Sequence, residues 1–167
     1  DYLFKKNSID ILKGEAYIKE PNTIKVKVDN KDLLISAKNI IIATGAKPKI
    51  PSFLYGKESF IWNYKDAMLP KELPKRLGII GSGAIGIEFA SFYNDLGSEV
   101  SVFEMQNRIC PNEDIDISTT LEKILSKKGI QFFKNSNVQD VIKKDNIQLI
   151  SNFNNGNKSF NFDKVLL

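Results

Sequence analysis

A glycine-rich turn between an apolar strand and an apolar helix constrains the fold of this chain more than any other feature. The residues Gly81-Ser82-Gly83-Ala84-Ile85-Gly86 follow a short apolar run, 77–80, and open a stretch with apolar residues at helical spacing. Glu104 stands 23 residues after Gly81, at the end of the next predicted strand, 100–104. A GxGxxG turn in this setting is typical of a Rossmann-type dinucleotide-binding domain, an α/β fold with a parallel sheet.

Each glycine of the turn has a separate physical task. Gly81 makes the tight turn, Gly83 lets a pyrophosphate approach bare backbone, and Gly86 lets the helix lie close to the strand. The first turn of the helix offers free N–H groups and a partial positive charge to the phosphates. The small residue Ala90, seven positions after Gly83, supports close packing of the same helix.

Glu104 indicates which dinucleotide the turn would accept. A carboxylate at this position can accept hydrogen bonds from both hydroxyls of the adenosine ribose, and it repels a 2′-phosphate. The alternative is an ordinary solvated carboxylate at a strand end. Given the turn and the spacing, we expect the ribose role and therefore NAD in preference to NADP.

The segments around the turn alternate between strand and helix patterns. Residues 7–42 favour β structure, with Ile24, Val26 and Val28 alternating with charges, a turn at 30–32 and a continuously apolar strand at 40–43. Residues 47–74 contain four prolines and little periodicity, so we expect a crossing segment whose aromatic residues Trp62 and Tyr64 are packed.

The second half of the chain continues the α/β pattern. Apolar residues at helical spacing predict a helix ending near Gly97 and a second one ending before Gly129: Ile85, Phe89, Phe92, Tyr93 and Leu96, then Ile117, Leu121, Ile124 and Leu125. A third strand begins at residues 130–133, and residues 138–163 form a predicted antiparallel meander with its turn at 154–157. The final residues, 164–167, read as the start of a buried strand.

Composition excludes several classes of function. The formal net charge is +4, but ten lysines against six acidic residues in 1–50 account for all of it, and the lysines alternate with apolar residues as on a solvated sheet face. We therefore expect no nucleic-acid binding. No apolar run approaches the roughly 20 residues of a membrane helix. Because the chain has one cysteine and no histidine, we expect neither internal disulfides nor a metal site.

Several further stretches resemble one family closely. They are IIATGAKP at 41–48, WNYKDAML at 62–69, LPK at 73–75, GSGAIGIEFASFY at 81–93, LG at 96–97, VFEM at 102–105, RI at 108–109 and PNED at 111–114. Taken in order, these residues resemble the dihydrolipoamide dehydrogenases, a subfamily of the flavoprotein disulfide reductases. The resemblance extends over essentially all 167 residues.

The resemblance implies a function for the whole protein. Members of this subfamily oxidise dihydrolipoamide and pass electrons through a redox disulfide and FAD to NAD. It implies that 1–46 is the end of the first FAD-domain segment and 47–167 most of the NAD domain. The redox CxxxxC pair, the FAD glycine motif and the dimer domain would then lie elsewhere in a longer protein. Implied partners are lipoyl domains of 2-oxoacid dehydrogenase complexes and a second copy in a homodimer, in the bacterial cytoplasm or the mitochondrial matrix.

The resemblance also assigns individual residues. It implies NAD contacts along Gly81, Ser82, Gly83, Ala84, Ile85 and Gly86 and at Glu104, with Val138 near the adenine. Flavin-side contacts fall on Ala16, Thr44, Gly45 and Ala46. Glu88 matches a carboxylate near the flavin and nicotinamide, although a glutamate one turn into a helix can also serve only the helix dipole.

Cys110 departs from the subfamily pattern, which usually has an apolar residue at this position. It has no CxxxxC partner and no histidine to lower its pKa, so we expect a partly buried apolar substitute without a redox role. Two alternatives to the main assignment stay open at this point. One is a related enzyme such as an NADH oxidase or a glutathione reductase, and the other is a non-catalytic nucleotide-binding module.

Overall fold

A computed structural model describes residues 2–167, which divide into two compact units with the boundary between Lys47 and Pro48. In chain order, the elements are α1 (Tyr2–Lys6), β1 (Glu15–Glu20), β2 (Thr23–Val28), β3 (Lys31–Ser36), a 3₁₀ turn (Ser52–Leu54), β4 (Ile61–Trp62), α2 (Tyr64–Met68), β5 (Arg76–Ile80), α3 (Ala84–Asp95), β6 (Glu99–Phe103), α4 (Ile115–Lys127), β7 (Gln131–Phe133), β8 (Asn137–Lys143), β9 (Ile147–Phe153), β10 (Gly156–Phe162) and β11 (Lys164–Leu166).

The first unit is a three-stranded antiparallel sheet in the order β1-β2-β3. Its apolar residues alternate with charges along β2, as predicted, and Val26 is buried. The turn between β2 and β3 lies at Asp29 and Asn30, which both have positive φ. The predicted turn at 30–32 is therefore displaced, because Asp and Asn tolerate the left-handed conformation and β3 already begins at Lys31.

The predicted buried strand at 40–43 is wrong for this structure. Residues 40–43 form no regular element, and Ile41 and Ile42 are 90% and 69% exposed. An apolar run becomes a strand only when neighbouring backbone supplies hydrogen bonds and cover. Within the described part of the chain, the three strands of the first unit pair with one another and leave this run without a partner.

The second unit is built on a five-stranded parallel sheet in the order β4-β11-β5-β6-β7. Helix α3 connects β5 to β6 and α4 connects β6 to β7, so the strand–helix–strand pattern predicted from the sequence is confirmed. The predicted strand at the end of the chain is also confirmed, since β11 lies between β4 and β5 with Val165 and Leu166 buried.

The parallel sheet is covered on both faces. One face carries α3 and α4 over an aliphatic cluster that includes Leu77, Ile79 and Val102. The other face carries the antiparallel sheet β8-β9-β10, the predicted meander, over a second cluster. Phe103 lies at the centre of this second cluster, with its ring 4.9 Å from the rings of both Phe133 and Phe160. The unit is a three-layer α/β arrangement.

Helix α3 forms where predicted, and it ends before Gly97, whose φ is +98°. The predicted buried face is only partly right. The buried residues of the helix are Ile87, Ala90 and Tyr93, whereas Ile85, Phe92 and Leu96 are about half exposed. The helix is apolar on two adjacent stripes, and the stripe with the small residues approaches the sheet. A Cβ on Gly86 would lie 2.3 Å from the Gly81 carbonyl oxygen, which shows how close that approach is.

Helix α4 also forms where predicted, and its predicted buried face is again only partly right. In α4, Leu125 is buried and Leu121 partly buried, but Ile117 and Ile124 are exposed. The crossing segment contains a short strand and α2, which the sequence analysis missed, and Trp62 packs against Tyr93 as expected. None of the helices described is long and apolar enough to cross a membrane.

Candidate functional site

The turn between β5 and α3 lies at the carboxyl end of the parallel sheet. Gly81 has φ +96°, a conformation that side chains disfavour, and its N–H donates to the Phe103 carbonyl oxygen at 2.8 Å. This bond ties the turn to the end of β6. The position is the one where open α/β sheets place their ligands, outside the carboxyl ends of the strands.

Gly83 and Gly86 have different surroundings. A Cβ built on Gly83 meets nothing within 4 Å, so its backbone borders open space. A Cβ on Gly86 would collide with the Gly81 carbonyl oxygen and lie 3.5 Å from a methyl carbon of Ile79. The absence of a side chain at Gly86 therefore serves the packing of α3, whereas at Gly83 it leaves room for another molecule.

The first turn of α3 is available to an anion. Gly83 is the N-cap residue, with no side-chain oxygen to bond the first amides, and Ala84 and Ile85 are exposed. The first N–H groups of a helix have no intrahelical acceptor and carry a partial positive charge. A groove of about 460 Å³ runs along this turn, and Lys49 is the one ionisable side chain among the residues that line it. The arrangement can bind a phosphate or pyrophosphate group.

Glu104 follows β6 directly and is buried beside the turn, 8% exposed. One of its oxygens, Oε2, accepts hydrogen bonds from the Ser82 amide at 3.0 Å and the Ser82 hydroxyl at 2.6 Å. The other, Oε1, accepts from the Gln106 amide at 2.8 Å. None of the ion pairs found between residues 2 and 167 includes Glu104. The carboxylate is thus held by three donors that carry no formal charge.

The contact between Ser82 and Glu104 was not predicted from the sequence. Ser82 is fully buried, and its carbonyl oxygen accepts a hydrogen bond from the Cys110 amide at 2.9 Å. The segment after β6 therefore folds back over the glycine turn. A serine between the first two glycines was the available signal, because its hydroxyl needs a partner when the residue is buried.

The other residues assigned by resemblance lie outside this cluster. Glu88 is exposed on α3, one turn beyond Ala84. Val138 lies on β8 and is buried in the second cluster, the one around Phe103. Ala16 is exposed on β1 and residues 44–46 are exposed without regular structure, all within the first unit. The structure brings together the glycine turn and Glu104.

Cys110 is buried, 7% exposed, in the aliphatic cluster beneath α3, so the prediction of an apolar environment is confirmed. Burial raises the pKa of its thiol, and the nearby carboxylates of Glu113 and Glu104 raise this pKa further. A thiol in such surroundings stays protonated near neutral pH. Across the part of the chain that the structure describes, no group of three or more side chains has the arrangement of a metal site.

A parallel sheet, a glycine turn at the start of a helix and a carboxylate after the next strand define a Rossmann-type dinucleotide-binding unit. The chain belongs to the pyridine nucleotide-disulphide oxidoreductase family, whose family model matches residues 1–167.

Curated relatives identify the branch of the family that this chain resembles. It is 40% identical over 157 residues to a dihydrolipoyl dehydrogenase of Rhizobium etli, covering 85% of this chain and 33% of the relative. It is 38% identical over 148 residues to the dihydrolipoyl dehydrogenase of Bacillus subtilis, covering 83% of this chain and 31% of that protein. The chain spans about a third of the length of these relatives.

Solved structures with the same fold include a flavoprotein. The chain is similar to a HOCl-induced flavoprotein disulfide reductase from Escherichia coli, with a TM-score of 0.75 and 28% identity over 99% of this chain and 39% of the other. It also shares its fold with LpdA from Mycobacterium tuberculosis, with a TM-score of 0.80 and 24% identity over 99% of this chain and 37% of that one.

Proposed function

We propose that this chain is the NAD-binding portion of a dihydrolipoyl dehydrogenase, in which residues 47–167 bind NAD and residues 1–46 complete an FAD-binding domain. The observation that carries the proposal is the glycine turn with Glu104 beside it. The turn leaves open space at Gly83, presents the bare first turn of α3, and has a carboxylate at the end of the adjacent strand. The similarity to dihydrolipoyl dehydrogenases supports the reaction.

The residues of the turn fit the pyrophosphate of a dinucleotide. The Gly83 backbone borders the space that the phosphates would occupy, and the N–H groups of Ala84 and Ile85 begin the helix there. NAD, when bound, supplies the hydride acceptor of the reaction. The work of the chain is to hold and orient the dinucleotide through backbone donors, which recognise phosphate without a cationic side chain.

Glu104 favours NAD over NADP. Its buried carboxylate lies within hydrogen-bond distance of the Ser82 hydroxyl, so it is placed at the level of the turn where the adenosine ribose would lie. The negative charge of a 2′-phosphate would lie beside this carboxylate. None of the ion pairs in the described residues includes Glu104, so no cationic side chain offsets its charge. Desolvated like charges repel strongly, which disfavours NADP.

The flavin-side contacts are part of the same proposal. Gly45 has φ +78° and open space around a built Cβ, so its backbone is free to lie against a ligand, with Thr44 and Ala46 on either side. Ala16 is exposed on β1. We assign these residues to FAD, Val138 to the surroundings of the adenine of NAD, and Glu88 to the flavin and nicotinamide side.

The proposed partners follow from the proposed reaction. A dihydrolipoyl dehydrogenase acts on lipoyl domains of 2-oxoacid dehydrogenase complexes, and the full protein would be a homodimer in the bacterial cytoplasm or the mitochondrial matrix. The redox disulfide, its acid–base histidine and the FAD phosphate site would come from residues outside this chain, which has one cysteine and no histidine.

The glycine turn provides the direct test of the proposal. In the intact protein, Gly83→Val should weaken NADH binding severely, because the side chain would fill the space of the pyrophosphate. A clash of about 3 kcal/mol corresponds to about 100-fold weaker binding. Folding should be retained, since a Cβ at Gly83 meets nothing within 4 Å. Titration with NADH measures the affinity, and thermal unfolding of the same samples verifies the fold. Unchanged affinity in a folded variant would refute the assignment of the turn.

A further inference from the structure

Three of the roughly four acceptor positions of the Glu104 carboxylate are occupied in this structure. An ionised carboxylate offers about four acceptor positions, two on each oxygen. The Ser82 amide and hydroxyl both donate to Oε2, and the Gln106 amide donates to Oε1. One acceptor position on Oε1 is left, whereas two ribose hydroxyls would require two.

The three donors differ in their freedom to leave. The amides of Ser82 and Gln106 are part of the backbone, and the Ser82 carbonyl is fixed by the Cys110 amide at 2.9 Å. The Ser82 hydroxyl, in contrast, can turn away from Glu104 by rotation about a single side-chain bond. Its bond to Oε2, at 2.6 Å, is the one that can be broken without moving the backbone.

We propose that the Ser82 hydroxyl competes with a ribose hydroxyl for Oε2 of Glu104 and gives up its hydrogen bond when the dinucleotide binds. In this view Ser82 lowers the affinity of the site for NAD, and it keeps the buried carboxylate hydrogen-bonded when no nucleotide is present. This inference rests on the proposed function, because it requires the adenosine ribose to lie at Glu104.

We therefore expect that removal of the Ser82 hydroxyl, although it lies in the binding site, strengthens nucleotide binding. Ser82→Ala removes the competing donor and should tighten binding of NADH to the intact protein by about three- to tenfold, the value of one net hydrogen bond. The same variant should lower the unfolding temperature of the nucleotide-free protein, because Glu104 loses a donor. Ser82→Gly, which also lacks the hydroxyl, serves as a second variant should alanine disturb the buried turn.

Two nucleotides separate this effect from a general loosening of the turn. ADP carries both ribose hydroxyls and 2′,3′-dideoxy-ADP carries neither, so calorimetric titration should show tighter binding in Ser82→Ala for ADP and no change for the dideoxy compound. Weaker or unchanged NADH binding in both variants would overturn the proposal, as would equal tightening for both diphosphates. The unaltered protein provides the separate test of the proposed function: if it bound neither NADH nor ADP, that function would fail and the inference with it.

Discussion

Two glycines of the same turn, three residues apart, have opposite relations to their surroundings. A Cβ on Gly86 would lie 2.3 Å from a backbone oxygen and 3.3 Å from a backbone carbon, both of Gly81. A Cβ on Gly83 would touch nothing. The common motif therefore contains one position that is required by folding and one that is free in the absence of a ligand.

Gly86→Ala should destabilise the protein, because the turn or α3 must move to relieve contact with backbone that has no flexible end. Overpacking of this kind costs about 1–3 kcal/mol or more. Gly83→Ala is the matched control, with an expected cost within about 1 kcal/mol. Urea unfolding monitored by the fluorescence of Trp62 measures both. Equal stability of the two variants would show that α3 does not approach the sheet as closely as described.

Glu104→Gln should weaken NAD binding by about tenfold or more and reduce the preference of the protein for NAD over NADP. A charge-assisted hydrogen bond is worth roughly 1.5–3 kcal/mol, and the NH2 group of the glutamine would also face either the Ser82 amide or the Gln106 amide, each of which needs an acceptor. Glu99→Gln is the control, since Glu99 is exposed at the opposite end of β6. Comparison of kcat/KM for the two dinucleotides in the intact protein tests this. Equal use of NAD and NADP by the unaltered protein would contradict the role given to Glu104.

At the scale of elements, the starts of β5 and β11 are joined by one pair of side chains. The Asp163 carboxylate accepts from the Arg76 amide at 2.8 Å and from the Arg76 guanidinium at 3.2 Å, and the Asp163 amide donates to the Arg76 carbonyl oxygen. Burial by itself raises the pKa of Asp163, but the hydrogen bonds and charge of Arg76 outweigh it and leave this pKa below its usual value. The ionised form is favoured in the folded state.

Asp163→Asn should therefore destabilise the fold at neutral pH by about 1 kcal/mol, a modest value because both side chains are partly exposed. A lowered carboxyl pKa contributes stability above the pKa of the unfolded chain and loses it as the pH falls through the folded pKa. The difference between variant and unaltered protein should thus begin to shrink as the pH falls below about 4 and should vanish only below the lowered pKa of the folded state. Urea unfolding at several pH values measures it, with Asp145→Asn at an exposed turn as control. A difference that persists at low pH would exclude the charge as its cause.

At the scale of the whole molecule, the chain contains the proposed nucleotide site without the groups that perform the proposed reaction. Electron transfer from a dihydrolipoyl group requires a dithiol that cycles to a disulfide, and one cysteine cannot form it. Cys110 is also buried, with its pKa raised by burial and by two carboxylates, so it is a poor nucleophile.

The isolated 167-residue chain should be colourless, bind NADH weakly, and show no lipoamide-dependent turnover. Cys110→Ser should alter stability by about 1 kcal/mol and nothing else, since it changes a buried apolar contact. Visible flavin absorbance and a standard lipoamide assay provide the measurements. A stoichiometric flavin spectrum, or turnover that is lost in Cys110→Ser, would show that the chemistry has been placed in the wrong part of the protein.

The order of elements from β5 to β11 could be predicted because it depends on local patterns. The turn at 81–86 requires glycines at fixed positions, Gly97 ends a helix through its positive φ, and the turn residues at 154–157 indicate the meander. The position of Glu104 at the end of β6 followed from spacing alone. These features depend on the backbone and on residues that are neighbours in sequence, so they can be predicted without knowledge of the distant parts of the chain.

Contacts between distant residues could not be predicted in this way. Helix α3 carries two apolar stripes, and the choice of the stripe with Gly86 and Ala90 depends on the close approach of the sheet, so Phe92 stays exposed. The apolar run at 40–43 forms no strand, because strand formation requires a partner backbone that local sequence does not specify. The contact between Ser82 and Glu104 joins residues 22 positions apart. It exists only because β5 and β6 pair in parallel and bring the turn and the carboxylate to one edge of the sheet.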